Sequence, residues 1–258
     1  MRPFRPVSAV LVLVVATVAG CGAAAAPADA VPAQRPAVLG TVPHDRTAFT
    51  EGLELSGGSL YEGTGLANLS ELRELDPATG AVRRAAPLPG GYFGEGVTVV
   101  GDRIWQLTYK DGVALEWDRA SLTVLREVPI GTEGWGLCGD GTRLVRSDGT
   151  PTLHFHDPVT FAETGTVDVT LDGRPLPEIN ELECVGGRVW ANVWRTERIV
   201  RIDPATGAVD RVVDASGLLT ADQRAGTDVL NGIAHLSGDE YLITGKYWPS
   251  MFRVRLPS

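Results

Sequence analysis

Residues 92–110 read YFGEGVTVVGDRIWQLTYK, and this stretch decides the fold. An apolar strand follows the carboxylate of Glu95, turns at a Gly-Asp pair, and returns as a second strand that ends at Tyr109 and Lys110. Two strands joined by a tight turn of this kind predict a β-hairpin. A hairpin places the start of its first strand beside the end of its second, so we expect Glu95, Tyr109 and Lys110 to meet at one end.

The hairpin recurs along the chain. Counterparts of its first strand begin near Phe49, Glu133, Asn180 and Leu230. A third strand follows and ends at an aspartate in four of the repeats, and two of these continue with the same letters, DPATGAV. The period of about 40 to 50 residues fits four short antiparallel strands per repeat, which is the blade of a β-propeller.

Five repeats predict an all-β, five-bladed β-propeller that occupies residues 37–258. The fifth repeat, from Leu230, has strands for only three positions, whereas residues 37–42 are a strand candidate without a repeat. We expect this N-terminal strand to complete the last blade, because joining the two termini closes the ring and protects the sheet edges. A short helix is predicted within residues 217–226, with Thr220 as its N-cap.

The amino terminus is predicted to direct export. Two arginines precede an apolar run over residues 7–18, which is too short for a membrane span of about 20 residues. Cys21 directly follows Val-Ala-Gly, and residues 1–21 therefore resemble a bacterial lipoprotein signal peptide, with a plain secretory signal as the alternative. We expect lipidation of Cys21, a flexible Ala/Pro-rich tether over residues 22–36, and anchoring to the outer face of a bacterial membrane.

Charge and cysteine content narrow the remaining possibilities. The net charge of −9 argues against nucleic acid, or an anionic membrane surface, as the partner. Outside the signal only Cys138 and Cys184 remain, at equivalent positions of neighbouring repeats. They can form a disulfide in an exported protein. Equivalent points on adjacent inner strands can also lie beyond the Cα separation of roughly 7 Å that a disulfide tolerates, so the pairing stays open here.

One mouth of the predicted propeller collects the starts of the first strands and the ends of the second strands. The first strands contribute Phe49, Glu51, Phe93, Glu95, Trp135, Asn180, Glu181 and Asn231. The second strands contribute Gln106, Tyr109, Lys110, Asp148, Trp194, Arg195, Lys246, Tyr247 and Trp248. Carboxyl groups buried among aromatic rings have raised pKa values, which suits acid–base chemistry near neutral pH. The alternative is that these aromatics are ordinary core and the carboxylates form ion pairs at the rim.

Several short motifs follow one another in order: PHDRTAFTEGL from Pro43, FGEG from Phe93, QLTYK from Gln106, EGWG from Glu133, NELE from Asn180, NVW from Asn192, LNGIA from Leu230 and TGKYWP from Thr244. Together they resemble the plant and bacterial glutamine cyclotransferases, and the resemblance covers nearly all of residues 38–256. It implies a five-bladed propeller that converts an N-terminal glutamine into pyroglutamate with loss of ammonia.

The same resemblance assigns roles to individual residues. It implies that Glu95 is the essential carboxylate and that Asn180 and Lys246 are polar catalytic residues. It implies substrate-binding positions at Phe49, Glu51, Phe93, Tyr109, Trp135 and Trp194. Gln106 is a further substrate-binding candidate because of its predicted place at the mouth. One departure is visible, since Tyr109 stands where the family commonly has Trp. We expect a slightly wider and more polar wall there, with an effect on substrate preference.

The reaction makes modest demands on the protein. The substrate's own α-amine attacks its own side-chain amide, and such intramolecular attack has a high effective molarity. An α-amine with a pKa near 8 is partly neutral at pH 7. No protein nucleophile, metal or cofactor is therefore required. We expect Glu95 to act as base and then as acid, Lys246 and Asn180 to polarise the amide oxygen, and Glu51 to hold the α-amine.

Three other interpretations of these residues compete with the cyclotransferase hypothesis. A calcium-dependent, lactonase-like propeller would use Glu51, Asn180 and Asn231 as a cation cage. A non-catalytic lipoprotein would bind peptides at the same mouth. His154 and His156 have the spacing of a metal-ligand pair, but their strand lies far from the axis, and we expect a solvated face. The expected partners are peptides or proteins with N-terminal glutamine, and the expected state is a monomer.

Overall fold

The computed structural model describes Met1 and residues 30–257, and it is a five-bladed β-propeller. Two strands precede the first blade, β1 (Ala33–Gln34) and β2 (Ala37–Pro43). Blade 1 contains β3 (Thr50–Ser56), β4 (Ser59–Thr64), β5 (Glu71–Leu75) and β6 (Val82–Pro87). A single 3-10 turn, Pro89–Gly91, leads to blade 2, which contains β7 (Gly94–Val100), β8 (Arg103–Thr108), β9 (Val113–Asp118) and β10 (Thr123–Pro129).

The remaining blades follow the same order. Blade 3 contains β11 (Leu137–Gly139), β12 (Leu144–Arg146), β13 (Thr152–His156) and β14 (Glu163–Asp168). A small hairpin of β15 (Thr170–Leu171) and β16 (Arg174–Pro175) precedes blade 4, which contains β17 (Ile179–Val185), β18 (Arg188–Val193), β19 (Arg198–Ile202) and β20 (Val209–Asp214). A short helix, α1 (Ala221–Arg224), precedes blade 5 with β21 (Leu230–Ser237), β22 (Glu240–Gly245) and β23 (Ser250–Arg255).

The innermost strands β3, β7, β11, β17 and β21 form a closed ring around one axis, because each packs against the inner strands of both neighbouring blades. Glycines at the Glu-Gly motifs permit this approach. A Cβ atom on Gly52 would lie 2.6 Å from the amide nitrogen of Val97, and one on Gly96 would lie 2.6 Å from that of Leu137. The motif glycines therefore let adjacent inner strands meet backbone to backbone.

The ring closes through the N-terminal strand, as the sequence predicts. β2 pairs antiparallel with β23, so that Thr41 lies opposite Phe252 and Pro43 opposite Ser250. This strand is the outermost member of blade 5. The hydrogen bonds of the last blade therefore join the two ends of the described chain.

The predicted tether is wrong for the residues just before this strand. β1 pairs in parallel with β20 as a fifth strand of blade 4. The amide of Val31 donates a hydrogen bond to Asp172 at 2.9 Å, and Arg35 donates one to the carbonyl of Ser216 at 2.9 Å. The outer edge of β20 offers backbone groups that this segment satisfies, which an Ala/Pro-rich composition does not reveal. Residues 2–29, including Cys21, lie outside the described residues.

The predicted helix is present and is shorter than its pattern suggests. Thr220 caps α1, and a reciprocal capping box joins it to Gln223. Across residues 30–257 no helix has the length and apolar character that a membrane crossing would need. The helix lies in the connection over residues 215–229 between blades 4 and 5.

Cys138 and Cys184 are joined by a disulfide, which answers the question that the sequence leaves open. Their Cα atoms lie 5.5 Å apart, and they stand on the inner strands β11 and β17 of adjacent blades. The bond therefore links blades 3 and 4 close to the axis.

Replacing both cysteines by alanine is expected to lower the free energy of unfolding by about 2–4 kcal/mol, because the bond restrains a long loop in the unfolded chain. The two residues are separated by 46 positions. Urea denaturation of the wild type and of Cys138→Ala/Cys184→Ala measures the difference. Dithiothreitol should lower the midpoint of the wild type and leave that of the double variant unchanged. Equal midpoints for oxidised wild type and variant would contradict the prediction.

Candidate active site

A cavity of about 140 Å³ opens at one mouth of the propeller. Its lining consists of Phe49, Glu51, Phe93, Glu95, Tyr109, Trp135, Asn180, Trp194 and Lys246. The volume corresponds to about five water molecules at roughly 30 Å³ each, so the cavity fits one side chain and not an extended peptide. All nine lining residues belong to the mouth that the sequence predicts.

Irregular pairing of the inner strands carries the polar residues to the cavity. The register between β3 and β4 shifts around Glu51, and that between β7 and β8 shifts around Glu95. Similar shifts occur around Asn180 in β17 and around Asn231 in β21. A β-bulge inserts one residue and re-aims its side chain, and bulges are frequent next to active sites. Four blades therefore use the same device to turn a polar side chain toward the mouth.

Half-buried aromatic rings form the wall of the cavity. The ring of Phe49 contacts Tyr247 at 5.1 Å and Phe93 at 6.0 Å between centroids. The series continues from Phe93 to Tyr109 at 5.6 Å and from Tyr109 to Trp135 at 6.3 Å. It ends with Trp135 and Trp194, whose centroids lie 5.3 Å apart. The wall spans all five blades, and it keeps the polar groups beneath it away from bulk water.

Glu51 is held by two residues of blade 5. Its Oε1 atom accepts a hydrogen bond from Nζ of Lys246 at 2.7 Å, and its Oε2 atom accepts one from Nδ2 of Asn231 at 3.1 Å. Nδ2 of Asn231 also donates to the carbonyl of Thr50 at 3.0 Å. Since both partners of this amide are acceptors, its NH₂ group must face them. Glu51, Lys246 and Asn231 are buried, with exposures of 1%, 6% and 0%.

Glu95 is a second buried carboxyl group, close enough to the first for each to influence the pKa of the other. Burial, reinforced by the negative charge of Glu51, raises the pKa of Glu95 well above its usual value. Burial also raises the pKa of Glu51, to about 7, against the opposing charge of Lys246. The pair therefore retains a proton at neutral pH, mainly on Glu95, while Glu51 balances the ammonium group of Lys246.

An amide and an ammonium group complete the polar side of the cavity. Asn180 is 3% exposed, and its Oδ1 atom, a hydrogen-bond acceptor, has no partner within the described residues. Nζ of Lys246 lies 4.4 Å from the ring centroid of Phe49 and uses one of its three protons on Glu51. Lys246 can therefore direct further N–H groups at a ligand, and the amide of Asn180 offers both a donor and an acceptor.

Gln106 does not line the cavity, so its predicted place at the mouth is wrong, and a substrate-binding role for it stays a prediction. Its side chain is fully buried in β8, where it faces the backbone of Gly63 and Gly94 between blades 1 and 2. Alternation along a strand sends successive side chains to opposite faces, and only Tyr109, just beyond the strand end, reaches the mouth. Lys110 lies at the exposed rim, where its Nζ atom is 3.5 Å from Glu133.

Histidines do not form the solvated face that the sequence predicts. His156 is 3% exposed and accepts a hydrogen bond from Nε of Arg146 at 3.1 Å. His154 contacts the carboxylates of Asp148 and Glu163, each at 3.0 Å. No group of three or more His, Cys, Asp or Glu with the arrangement of a metal site occurs within residues 30–257. His44 braces the loop before Phe49 through a 2.8 Å contact with the buried carboxylate of Glu62.

Comparison with known proteins assigns the chain. A sequence model described as glutamine cyclotransferase matches residues 10–256. The chain belongs to the glutamine cyclotransferase family. Glutaminyl-peptide cyclotransferase of Arabidopsis thaliana is 39% identical over 226 residues, which cover 85% of this chain and 70% of the relative. The crystal structure of Myxococcus xanthus glutaminyl cyclase matches with a TM-score of 0.77 and 38% identity, covering 87% of this chain and 98% of that one.

The structure shows the surroundings of two further residues at the mouth, Tyr109 and Asn231. Tyr109 takes part in the aromatic wall, so the departure from the family's usual Trp leaves the cage continuous, and its effect on substrate preference stays a prediction. The sequence places Asn231 at the mouth, with a role only in the calcium-cage alternative, and the structure shows that it holds Glu51. Its position in the repeat, equivalent to Glu51 and Glu95, is the signal that identifies it.

Proposed function

We propose that the protein cyclises N-terminal glutamine to pyroglutamate and releases ammonia. It is an acyl-transferring enzyme of the glutamine cyclotransferase family. The observation that carries the proposal is the buried carboxyl pair of Glu51 and Glu95, held with Lys246 beneath an aromatic cage of single-residue size. In this cage the α-amine and the side-chain amide of one glutamine reach the same carboxyl group.

Proton transfer is the task of Glu95. Ring closure requires one proton to leave the attacking amine and one to reach the departing nitrogen. The sequence predicts Glu95 as base first and acid afterwards, but its burial favours the protonated form. We infer that one oxygen donates a proton to the departing nitrogen while the other accepts the proton of the attacking amine. The new C–N bond forms, the amide C–N bond breaks toward ammonia, and the carboxyl group ends protonated.

Lys246 and Asn180 stabilise the oxygen that becomes negative during attack. A preorganised donor aimed at such an oxyanion contributes about 3–4 kcal/mol to catalysis. Glu51 has both oxygens occupied by Lys246 and Asn231, so its predicted role as holder of the α-amine is replaced by another. It fixes the ammonium group of Lys246 and keeps the shared proton on Glu95.

The calcium-cage alternative is disfavoured by the groups around Glu51. A calcium ion needs oxygen ligands, whereas the ammonium group of Lys246 sits on Oε1 of Glu51 and the NH₂ group of Asn231 sits on Oε2. A positive charge is therefore already supplied by the chain itself. The arrangement supports a reaction that proceeds without a metal.

The decisive experiment measures ammonia release and pyroglutamyl product from glutamine-initiated dipeptides, with and without EDTA, using the protein that lacks residues 1–21. Metal-independent release of both products is the expected result. Asparagine-initiated dipeptides are the matched control, because their shorter side chain cannot close a five-membered ring. Absence of release by a folded protein would contradict the proposal, and loss of activity with EDTA would contradict metal independence.

We also propose that the enzyme acts outside the cytoplasm, on peptides or proteins with N-terminal glutamine, as a monomer anchored by lipid on Cys21. The disulfide between Cys138 and Cys184 supports an oxidising compartment. Labelling with a palmitate analogue in a bacterial host, compared between the wild type and Cys21→Ala, tests the anchor. Equal labelling of the two proteins would contradict it.

Asn231→Ala is expected to lower kcat about ten- to hundredfold, because a hydrogen bond to a buried charged group contributes about 1.5–3 kcal/mol. Glu51 would lose the donor on Oε2 and would hold its negative charge less readily. Ammonia release measures the effect, and thermal unfolding confirms that the fold persists. Asn192→Ala is the matched control, since Asn192 is buried nearby and its side chain bonds the backbone of Gly232 instead of a carboxylate. A loss of similar size in both variants would contradict a specific role for Asn231.

A further inference from the structure

The aromatic wall of the cavity is interrupted between blades 4 and 5. Ring contacts run from Tyr247 through blades 1 to 3 and end at Trp194, and within the described chain no contact between these two rings closes the circle. Trp135 and Trp194 close the wall on the other side of blade 4, with centroids 5.3 Å apart. The interval between Trp194 and Tyr247 is therefore the part of the wall where ring contacts are missing among the described residues.

A groove of about 520 Å³ lies between blades 4 and 5. Its lining includes Arg195, Glu197, Arg224, Asp228 and Trp248. The backbone of the groove is hydrogen-bonded to Lys246. The amide of Asp228 donates to the carbonyl of Lys246 at 2.9 Å, and the amide of Lys246 donates to the carbonyl of Val229 at 3.0 Å. The groove therefore lies beside the strand end that brings Lys246 to the cavity.

Arg195 is the cation of this groove that remains available to a ligand. Its guanidinium carbon lies 4.0 Å from the ring centroid of Trp194, and no carboxylate within residues 30–257 lies within 4.0 Å of its nitrogens. Arg224, in contrast, pairs with Glu197 at 2.8 Å, and Asp228 accepts a hydrogen bond from the amide of Val229 at 2.7 Å. A guanidinium stacked on a ring keeps its in-plane N–H groups free, and these match a carboxylate in two-pronged geometry.

Backbone geometry holds Arg195 at the rim. Its φ of 60° lies in the left-handed region, which a residue with a side chain adopts at a cost in free energy. Gly149 occupies the equivalent place in blade 3 without that cost, with a φ of 80°, and Tyr247 occupies it in blade 5, with a φ of 61°. Tyr247 uses the conformation to pack on Phe49. A residue held in a strained backbone conformation at the rim of a site is a candidate for a functional role.

We propose that Arg195 binds a carboxylate on the residue that follows the N-terminal glutamine. The carboxylate is either the side chain of Asp or Glu at that position or the free C-terminus of a glutamine-initiated dipeptide. The groove also contains the ion pair of Arg224 and Glu197 and the carboxylate of Asp228, whose charge is opposite to that of Arg195. This inference rests on the proposed function and adds a preference among its substrates.

The test compares kcat/KM for Gln-Glu-amide with that for Gln-Gln-amide, and for Gln-Ala with that for Gln-Ala-amide, at low ionic strength. The first pair isolates a side-chain carboxylate, and the second isolates a C-terminal one. For the wild type we expect a ratio of about three to ten in favour of the carboxylate in at least one pair, reduced by 1 M NaCl through screening. In Arg195→Gln that ratio is expected to fall to about one, and Arg195→Lys should restore part of it.

Asp228→Asn is the matched control, because it removes the opposite charge from the same groove. A direct contact predicts that this variant keeps or increases the preference. Ratios near one in an active wild type would overturn the inference, and so would a preference that survives in Arg195→Gln. If Arg195→Gln lowers kcat/KM equally for all four peptides, Arg195 acts only by supporting Trp194, and the inference is overturned as well. Failure to turn over any of the four peptides would instead contradict the proposed function.

Discussion

Replacing Glu95 by Gln is expected to lower kcat for glutaminyl peptides about 10³-fold, since general acid–base catalysis contributes typically 10²–10⁴-fold. The amide has the size of the carboxyl group but cannot accept one proton while it donates another. KM is expected to change little, because the aromatic cage that binds the side chain remains. Steady-state ammonia release, followed with a Gln-Ala-amide substrate, measures both constants.

The matched control is Glu183→Gln. Glu183 is also buried near the axis and its pKa is likewise raised by burial, but it accepts a hydrogen bond from the amide of His235 and does not line the cavity. This variant should retain kcat within about twofold. If Glu95→Gln keeps more than a tenth of the wild-type kcat, or if both variants lose activity equally, the proposed role of Glu95 is wrong.

The pH dependence of Glu95 provides a second test. The folded carboxyl group keeps its proton above the usual value of 4.5, so kcat should fall on the alkaline side, where this proton is lost. An unfolded chain releases the proton near 4.5, and above that pH the folded state holds more protons than the unfolded state. Stability therefore declines as pH rises through this window. Glu95→Gln should weaken that decline, which urea denaturation between pH 5 and about pH 9 measures.

Lys246→Met is expected to lower kcat about 10²- to 10³-fold, which corresponds to the loss of one preorganised donor to the oxyanion. Removal of the ammonium group also leaves the carboxylate of Glu51 without its cation, so the pKa of Glu51 should rise further and the carboxyl pair should take up a second proton. The prediction is a lower kcat at neutral pH and an acid limb of the pH profile that moves to higher pH.

Lys110→Met is the matched control for this substitution, because Lys110 stands at the exposed rim of the same mouth, where its Nζ atom lies 3.5 Å from Glu133 and 4.7 Å from the ring centroid of Tyr109, away from the buried carboxyl pair. It should retain kcat within about twofold. A buried carboxylate that loses its partner also destabilises a fold, typically by about 3–5 kcal/mol. Thermal unfolding of Lys246→Met must therefore accompany the kinetics, and an unchanged kcat in a folded variant would exclude Lys246 from the chemistry.

The position of Gln106 could not be predicted from the sequence. It stands in the same QLTYK motif as Tyr109, and the end of the second strand is expected to bring both to the mouth. A strand sends alternate side chains to opposite faces. Gln106 and Tyr109 are three positions apart, and the first is buried between two blades whereas the second lines the cavity. Which of them reaches the ligand depends on where the strand ends, and strand ends are set by tertiary contacts.

The residues before β2 illustrate a different limit. Composition predicts a tether over residues 22–36, yet Val31 and Arg35 are fixed to blade 4 by hydrogen bonds. The segment has little hydrophobic pattern of its own. It is ordered because the outer edge of β20 is free to accept a neighbour, and that edge exists only after blade 4 has formed.

The sequence was sufficient to predict the five blades, their closure by the N-terminal strand, and a larger set of mouth residues that contains all nine residues of the cavity. These features follow from local periodicity and repetition, because equivalent positions of repeated strands must share one mouth. The tertiary structure alone decided the pairing of Glu51 with Lys246, which are 195 positions apart, and the place of Asn231 beside them. It also decided which carboxyl group keeps the proton, since protonation depends on burial and on neighbouring charges, and neither is encoded in a periodic pattern.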